Sequence, residues 1–153
     1  MRNFNSLQRA AARRGGAILG VILVLAALLA CQHKTPDQEL LDKADAVGSW
    51  IATLQMAGEK WLANSVPTSF VKTTCEAADQ DLDQAAGETA KSKAGPAVRE
   101  PLRQLISQAR AAGTGLRRAA AANDRPGAAQ EVRRLAGLRS GFEALKRRED
   151  GKP

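Results

Sequence analysis

The sequence predicts an all-α protein, an up-down-up-down antiparallel four-helix bundle that follows an N-terminal signal or anchor helix. Three observations predict it. Apolar residues recur at alternating spacings of four and three along four successive stretches, and turn-forming clusters separate those stretches. No alternating apolar–polar run offers a competing strand anywhere.

The chain opens with Arg2, Arg9, Arg13 and Arg14, followed by an uncharged run of 17 residues from Gly15 to Cys31. As a helix this run spans about 25 Å, against a hydrocarbon core of about 30 Å. That is short for a permanent membrane span and suits the apolar region of a signal peptide, whose arginines stay on the cytoplasmic side. Its end, Leu28-Leu29-Ala30-Cys31, resembles the lipobox of bacterial lipoprotein signals, although Leu29 is larger than the residue more usual there. The resemblance covers residues 1–31 only. It implies that residues 1–30 are removed, that Cys31 is the lipidation site, and that palmitate-type acyl chains hold the mature protein in the cell envelope, facing the periplasm. Gln32 stands where enteric-type sorting uses aspartate to retain a lipoprotein in the inner membrane, so the resemblance favours outer-membrane over inner-membrane routing.

Residues 31–35 read as a tether, and the first bundle helix is expected over about 36–64. Thr35 supplies a cap, Pro36 fits the first helical position, and Gln38 completes a capping box. Leu40, Ala44, Val47, Ile51, Leu54, Gly58 and Trp61 then form one helical face. Ser65-Val66-Pro67-Thr68 ends this helix and starts a second, over about 67–90, with Val71, Cys75, Ala78, Leu82, Ala85 and Thr89 inward.

Lys91 to Pro96 closes the second helix. A third, over about 97–122, turns Val98, Leu102, Leu105, Ala109, Ala112 and Leu116 to the core. Pro101 is expected only in a first turn. Gly113 and Gly115 cost about 1 kcal/mol each relative to alanine; the pair marks a kink, a frayed end or a close helix approach beside the alanine-rich seam, and an early end or distortion is expected. Asn123-Asp124-Arg125-Pro126-Gly127 is a turn and cap cluster. The fourth helix, about 126–147, carries Val132, Leu135, Leu138, Phe142 and Leu145 inward. Residues 36–148 thus make one bundle domain, and 149–153 a charged tail.

The precursor's net charge of +7 falls to +3 once the four leader arginines are removed, which weakens any nucleic-acid reading. What remains is divided: residues 35–90 carry −7 and residues 91–153 carry +9. Arg103, Arg110 and Arg117, spaced by seven, should flank the seam opposite Glu76 and Asp83, where charge pairs select packing order. A sharper reading makes Arg117, Arg118, Arg133, Arg134, Lys146, Arg147 and Arg148 a basic interaction face for an envelope protein or an anionic lipid surface.

Enzyme chemistry finds little to stand on. His33 is the sole histidine and lies in the tether, so neither a catalytic triad nor a metal site has a scaffold. No haem or di-iron pattern is present, and Met56 lacks a second ligand. Cys75, beside Glu76 on the core stripe, reads as a buried, inert thiol without a disulfide partner if Cys31 is acylated. Asp79, Asp81 and Asp83 alternate, and alternate helical positions point about 200° apart, so they do not converge on one cation. The expectation is a non-enzymatic, cofactor-free, metal-free protein- or surface-interaction module held at the membrane by its lipid anchor. Two other readings stand beside it: an envelope sensor domain with a small ligand between helices, and a helical subunit of a larger envelope assembly held by an uncleaved N-terminal helix.

Overall fold

A computed structural model describes residues 34–151. The described chain is a helical bundle of one short and four long helices: α1 (Pro36–Lys43), α2 (Asp45–Leu62), α3 (Thr68–Lys91), α4 (Pro96–Ala121) and α5 (Arg125–Asp150). No strand occurs among the described residues. Cys31, His33 and the leader lie outside them.

The N-terminal signal of α1 works as its residues dictate. Thr35 Oγ1 accepts from the Gln38 backbone N–H at 3.2 Å, and Gln38 Oε1 accepts from the Thr35 N–H at 3.1 Å. The single first helix expected over 36–64 is instead two. Ala44, with φ −76° and ψ −4°, takes the chain through a tight turn between α1 and α2. Around the turn the adjacent Leu40 and Leu41 both enter the core, at 4 % exposure each. Asp37 then reaches the start of α4, where its Oδ1 accepts from the Gly95 N–H at 2.6 Å. Gly95 is the N-cap residue of α4 and has no side chain to do this work itself.

The long helices pack in a ring, α2 on α3, α3 on α4, α4 on α5 and α5 back on α2. Each contact can be followed through its residues. Trp50 and Trp61 of α2 donate to Asp81 and Thr68 of α3 at 2.8 and 3.1 Å. Gly48 and Gly58 of α2 lie against Phe142 and Val132 of α5, and Gly115 of α4 lies against Glu131 of α5. The centre is filled by Ile51, Leu54, Val71, Leu82, Val98, Leu102, Leu116 and Leu135, each at or near zero exposure.

Four expectations need correction. α4 runs unbroken through Gly113 and Gly115 to Ala121. Both glycines are sites of close approach: a Cβ at Gly113 would stand 3.3 Å from Leu54 Cδ1, and one at Gly115 would stand 2.8 Å from Glu131 Cδ. Neighbouring helices occupy the space, which offsets the poor propensity. Pro101 sits in the second turn of α4 and not the first. The carbonyl it deprives of a donor belongs to Ala97, an exposed residue, so no polar group is stranded in the core. Ile106 takes the buried place assigned to Leu105, which packs at the core's edge; a step of four from Leu102 keeps the row better centred than a step of three. Finally, α5 extends to Asp150 and takes in the first two residues of the expected tail, with Glu149 only 7 % exposed.

Candidate functional site

Charge on the first and second hairpins meets across the α3–α4 contact. Arg110 Nε donates to Asp79 at 2.8 Å while its Nη1 engages Asp83. One turn-pair further on, Arg117 approaches Glu76 at 3.5 Å. Arg103, the third of the heptad-spaced arginines, turns instead to Glu100 on its own helix at 2.8 Å. Hydrogen bonds and charge from Asp79 and Asp83 hold Arg110 more firmly protonated than a free guanidinium. These pairs are half-exposed, which places their individual worth below about 1 kcal/mol.

The acidic run separates in the same way. Asp79 and Asp83 face Arg110, while Asp81 turns toward α2 and accepts from Trp50. Among the described residues no group of three or more His, Cys, Asp or Glu is gathered as a metal site.

The seven basic residues singled out from the sequence do not form one continuous face. Arg117 belongs to the α3–α4 seam with Glu76. Lys146 faces the opposite seam, where its Nζ lies 2.5 Å from Asp45 of α2. Arg118 and Arg134 border a shallow depression over α4, and Arg134 pairs with Glu131 at 3.3 Å. Arg148 borders a second depression between α4 and α5, beside Pro101, Leu105 and Gly141. Arg133 and Arg147 point away from the buried row of Leu135 and Phe142. They follow from 100° per residue: Arg133 and Arg147 are 14 residues apart, nearly four turns, and share the outer side of α5. The arginine-rich runs of one helix therefore serve three directions.

One basic residue escaped notice in the sequence. Arg125 at the start of α5 donates to Asn64 Oδ1 at 3.0 Å and to the Leu62 carbonyl, with its guanidinium 5.5 Å from the Trp61 ring centroid. It satisfies carbonyls at the end of α2 and stacks on an aromatic at once. Its signal was its place in the turn cluster, but the partners lie about 60 residues away, as in the Arg125–Asn64 separation of 61.

Cys75 is 5 % exposed and borders a cleft of about 160 Å³ with Glu76, Asp79, Gln80, Thr114 and Arg117. Burial pushes its thiol up to about 11; Arg117 opposes the rise and Glu76 adds to it. A thiol so held is a poor nucleophile at neutral pH. Met56 and Phe70 are the exposed large apolar side chains among the described residues. They lie on different helices, and isolated exposure of this kind is ordinary. No described helix is long and apolar enough to cross a membrane. No family model, curated protein or solved structure matches the chain.

Proposed function

We propose that the chain is a lipid-anchored protein of the bacterial cell envelope. Acylation at Cys31 holds it, and its bundle faces the periplasm, with the outer membrane favoured over the inner. The bundle acts by contact with a surface or another protein and not by catalysis. The observation that carries this reading is the sequence Leu28-Leu29-Ala30-Cys31 at the end of an apolar run led by arginines. Further support comes from the bundle itself. Its central seam is packed with aliphatic side chains and, Glu149 apart, its described charged side chains lie at the surface, which supports action by surface contact.

Within the bundle, the four long helices run up-down-up-down. Supporting this is the direction of every seam. Residue numbers fall on one helix as they rise on its neighbour: Trp50 with Asp81 and Trp61 with Thr68, Arg110 with Asp79 and Arg117 with Glu76. The same holds for Gly48 with Phe142, Gly58 with Val132, Leu105 with Gly141 and Gly115 with Glu131. Such an order needs only the short connections present here.

The test is metabolic labelling with a palmitate analogue in bacterial cells. Wild type should incorporate the label and lose residues 1–30, and Cys31→Ser should do neither. Label that fails to enter wild type, or persists in Cys31→Ser, overturns lipidation at Cys31 and returns the leader to a short uncleaved helix.

A further inference from the structure

The sequence distributes basic residues along α5, and the structure decides which of them have partners. Lys146 and Arg134 are engaged by Asp45 and Glu131. Arg133, Arg147 and Arg148 are exposed and, among the described residues, meet no carboxylate. Between Arg133 and the Arg147-Arg148 pair the outer side of α5 presents Gly137, Ser140 and Ala144, all exposed and all short. No long side chain stands between the two ends to hold a flat surface away. The arginines are separated by about 21 Å along the helix. Among the described side chains, the carboxylates of α5 leave this line nearly clear: Glu149 is buried and Glu131 is turned to Arg134, with Glu143 at the edge.

Two further observations say what lies opposite. Asp45, at the start of α2, meets Lys146, and α1 packs on α5, so the Arg147-Arg148 end of α5 is also the end at which the chain enters the bundle. Only Gln32, His33 and Lys34 separate Cys31 from the capping residue Thr35. Four residue steps extend at most about 14 Å. A lipid on Cys31 therefore keeps this end of the bundle, where α1 enters beside Gly95 and α5 finishes, close to the bilayer surface, and the local concentration of headgroups is high.

We propose that the outer face of α5 lies along the anionic headgroups of the bilayer that holds Cys31, with Arg133 and Arg147 on lipid phosphates and Arg148 reaching them from the α4 edge of that face. The inference rests on the anchor reading and adds an orientation to it. Guanidinium groups suit phosphate oxygens through paired N–H donors. The short tether supplies proximity, the C-terminal arginines make the first contact, and Arg133 lays the helix down. The acidic helix α3, whose main contacts are with α2 and α4, is then left facing the aqueous compartment. Its aspartates would be repelled by the same headgroups, so the charge division between the hairpins sets which side is down.

The full chain is reconstituted through its own N-terminal anchor into vesicles of phosphatidylcholine, or of phosphatidylcholine with one third phosphatidylglycerol. A fluorophore is placed on Ser140→Cys in one preparation and on Gln84→Cys of α3 in another, and acrylamide quenching is measured. Anionic vesicles should lower quenching at position 140 at least threefold relative to phosphatidylcholine and leave position 84 unchanged. Combined Arg133→Glu, Arg147→Glu and Arg148→Glu should restore the phosphatidylcholine value at position 140, with the chain still floating with the vesicles and its helicity unchanged. Equal quenching at the two positions in anionic vesicles overturns the orientation, as does shielding that survives charge reversal. A chain that floats with neither vesicle overturns the anchor, and the orientation with it.

Discussion

Gly58→Ala isolates the close approach of α2 to α5. In an open stretch of helix this substitution is favourable by about 1 kcal/mol, because glycine loses more backbone freedom on folding. At Gly58 the new Cβ would stand 2.5 Å from Val132 Cγ2 and 3.2 and 3.3 Å from the two methyl groups of Leu116. Real carbon atoms do not approach so closely. Leu116 is fully buried, and Val132, being β-branched on a helix, has one strongly preferred rotamer. Neither can move aside cheaply. Overpacking of this kind costs about 1–3 kcal/mol, so the net change is a loss of up to about 2 kcal/mol.

Gly137→Ala is the matched control, since nothing lies within 4 Å of its added Cβ. It should gain the propensity term alone, about 1 kcal/mol. Thermal unfolding followed by circular dichroism should then move the two variants in opposite directions, by about 3–6 °C per kcal/mol for a domain of this size. A Gly58→Ala, Val132→Ala double variant should lose less stability than the sum of its parts, because the second change makes room for the first. Equal increases in Tm for Gly58→Ala and Gly137→Ala would refute the packing of Gly58 against Val132, and with it the register of α2 on α5.

Two further outcomes follow from single side chains. Cys75 has its thiol raised from 9.0 to about 11 by burial, so the native state disfavours the thiolate and its contribution to stability is full below pH 9. As pH rises from 9 to 11 the unfolded thiol ionises first and roughly 2 kcal/mol of that contribution is lost. Urea midpoints of wild type should therefore fall more steeply across this window than those of Cys75→Ala, and a thiol reagent at pH 7 should label Cys75 only after denaturation; parallel pH profiles or rapid native labelling would contradict its burial. Asp37→Ala removes the acceptor from the Gly95 N–H and should cost about 1 kcal/mol, with hydrogen exchange speeding up in α1 and at the start of α4; exchange unchanged at both places would show that the cap does not join them.

What the sequence determined by itself was whatever depends on near neighbours. Helix formation and the identity of the buried side follow from apolar residues three and four apart, because those positions stack on one face whatever the helix later meets. Thr35 and Gln38 are legible as a cap for the same reason: the partners are three residues apart. The division into acidic and basic hairpins is a sum over residues and is equally visible. The tertiary structure decided everything that depends on what stands opposite. Gly113 and Gly115 look like helix breakers until Leu54 and Glu131 are seen to occupy the space a side chain would take. The break at Ala44 between α1 and α2 likewise has no glycine or proline to announce it, and it appears only where Leu40, Leu41 and Ala44 are seen buried together. Arg117, Lys146 and Arg133 are alike as charges. The direction in which each leaves its helix, and whether Glu76, Asp45 or open solvent lies there, makes the first two parts of the fold and leaves the third exposed.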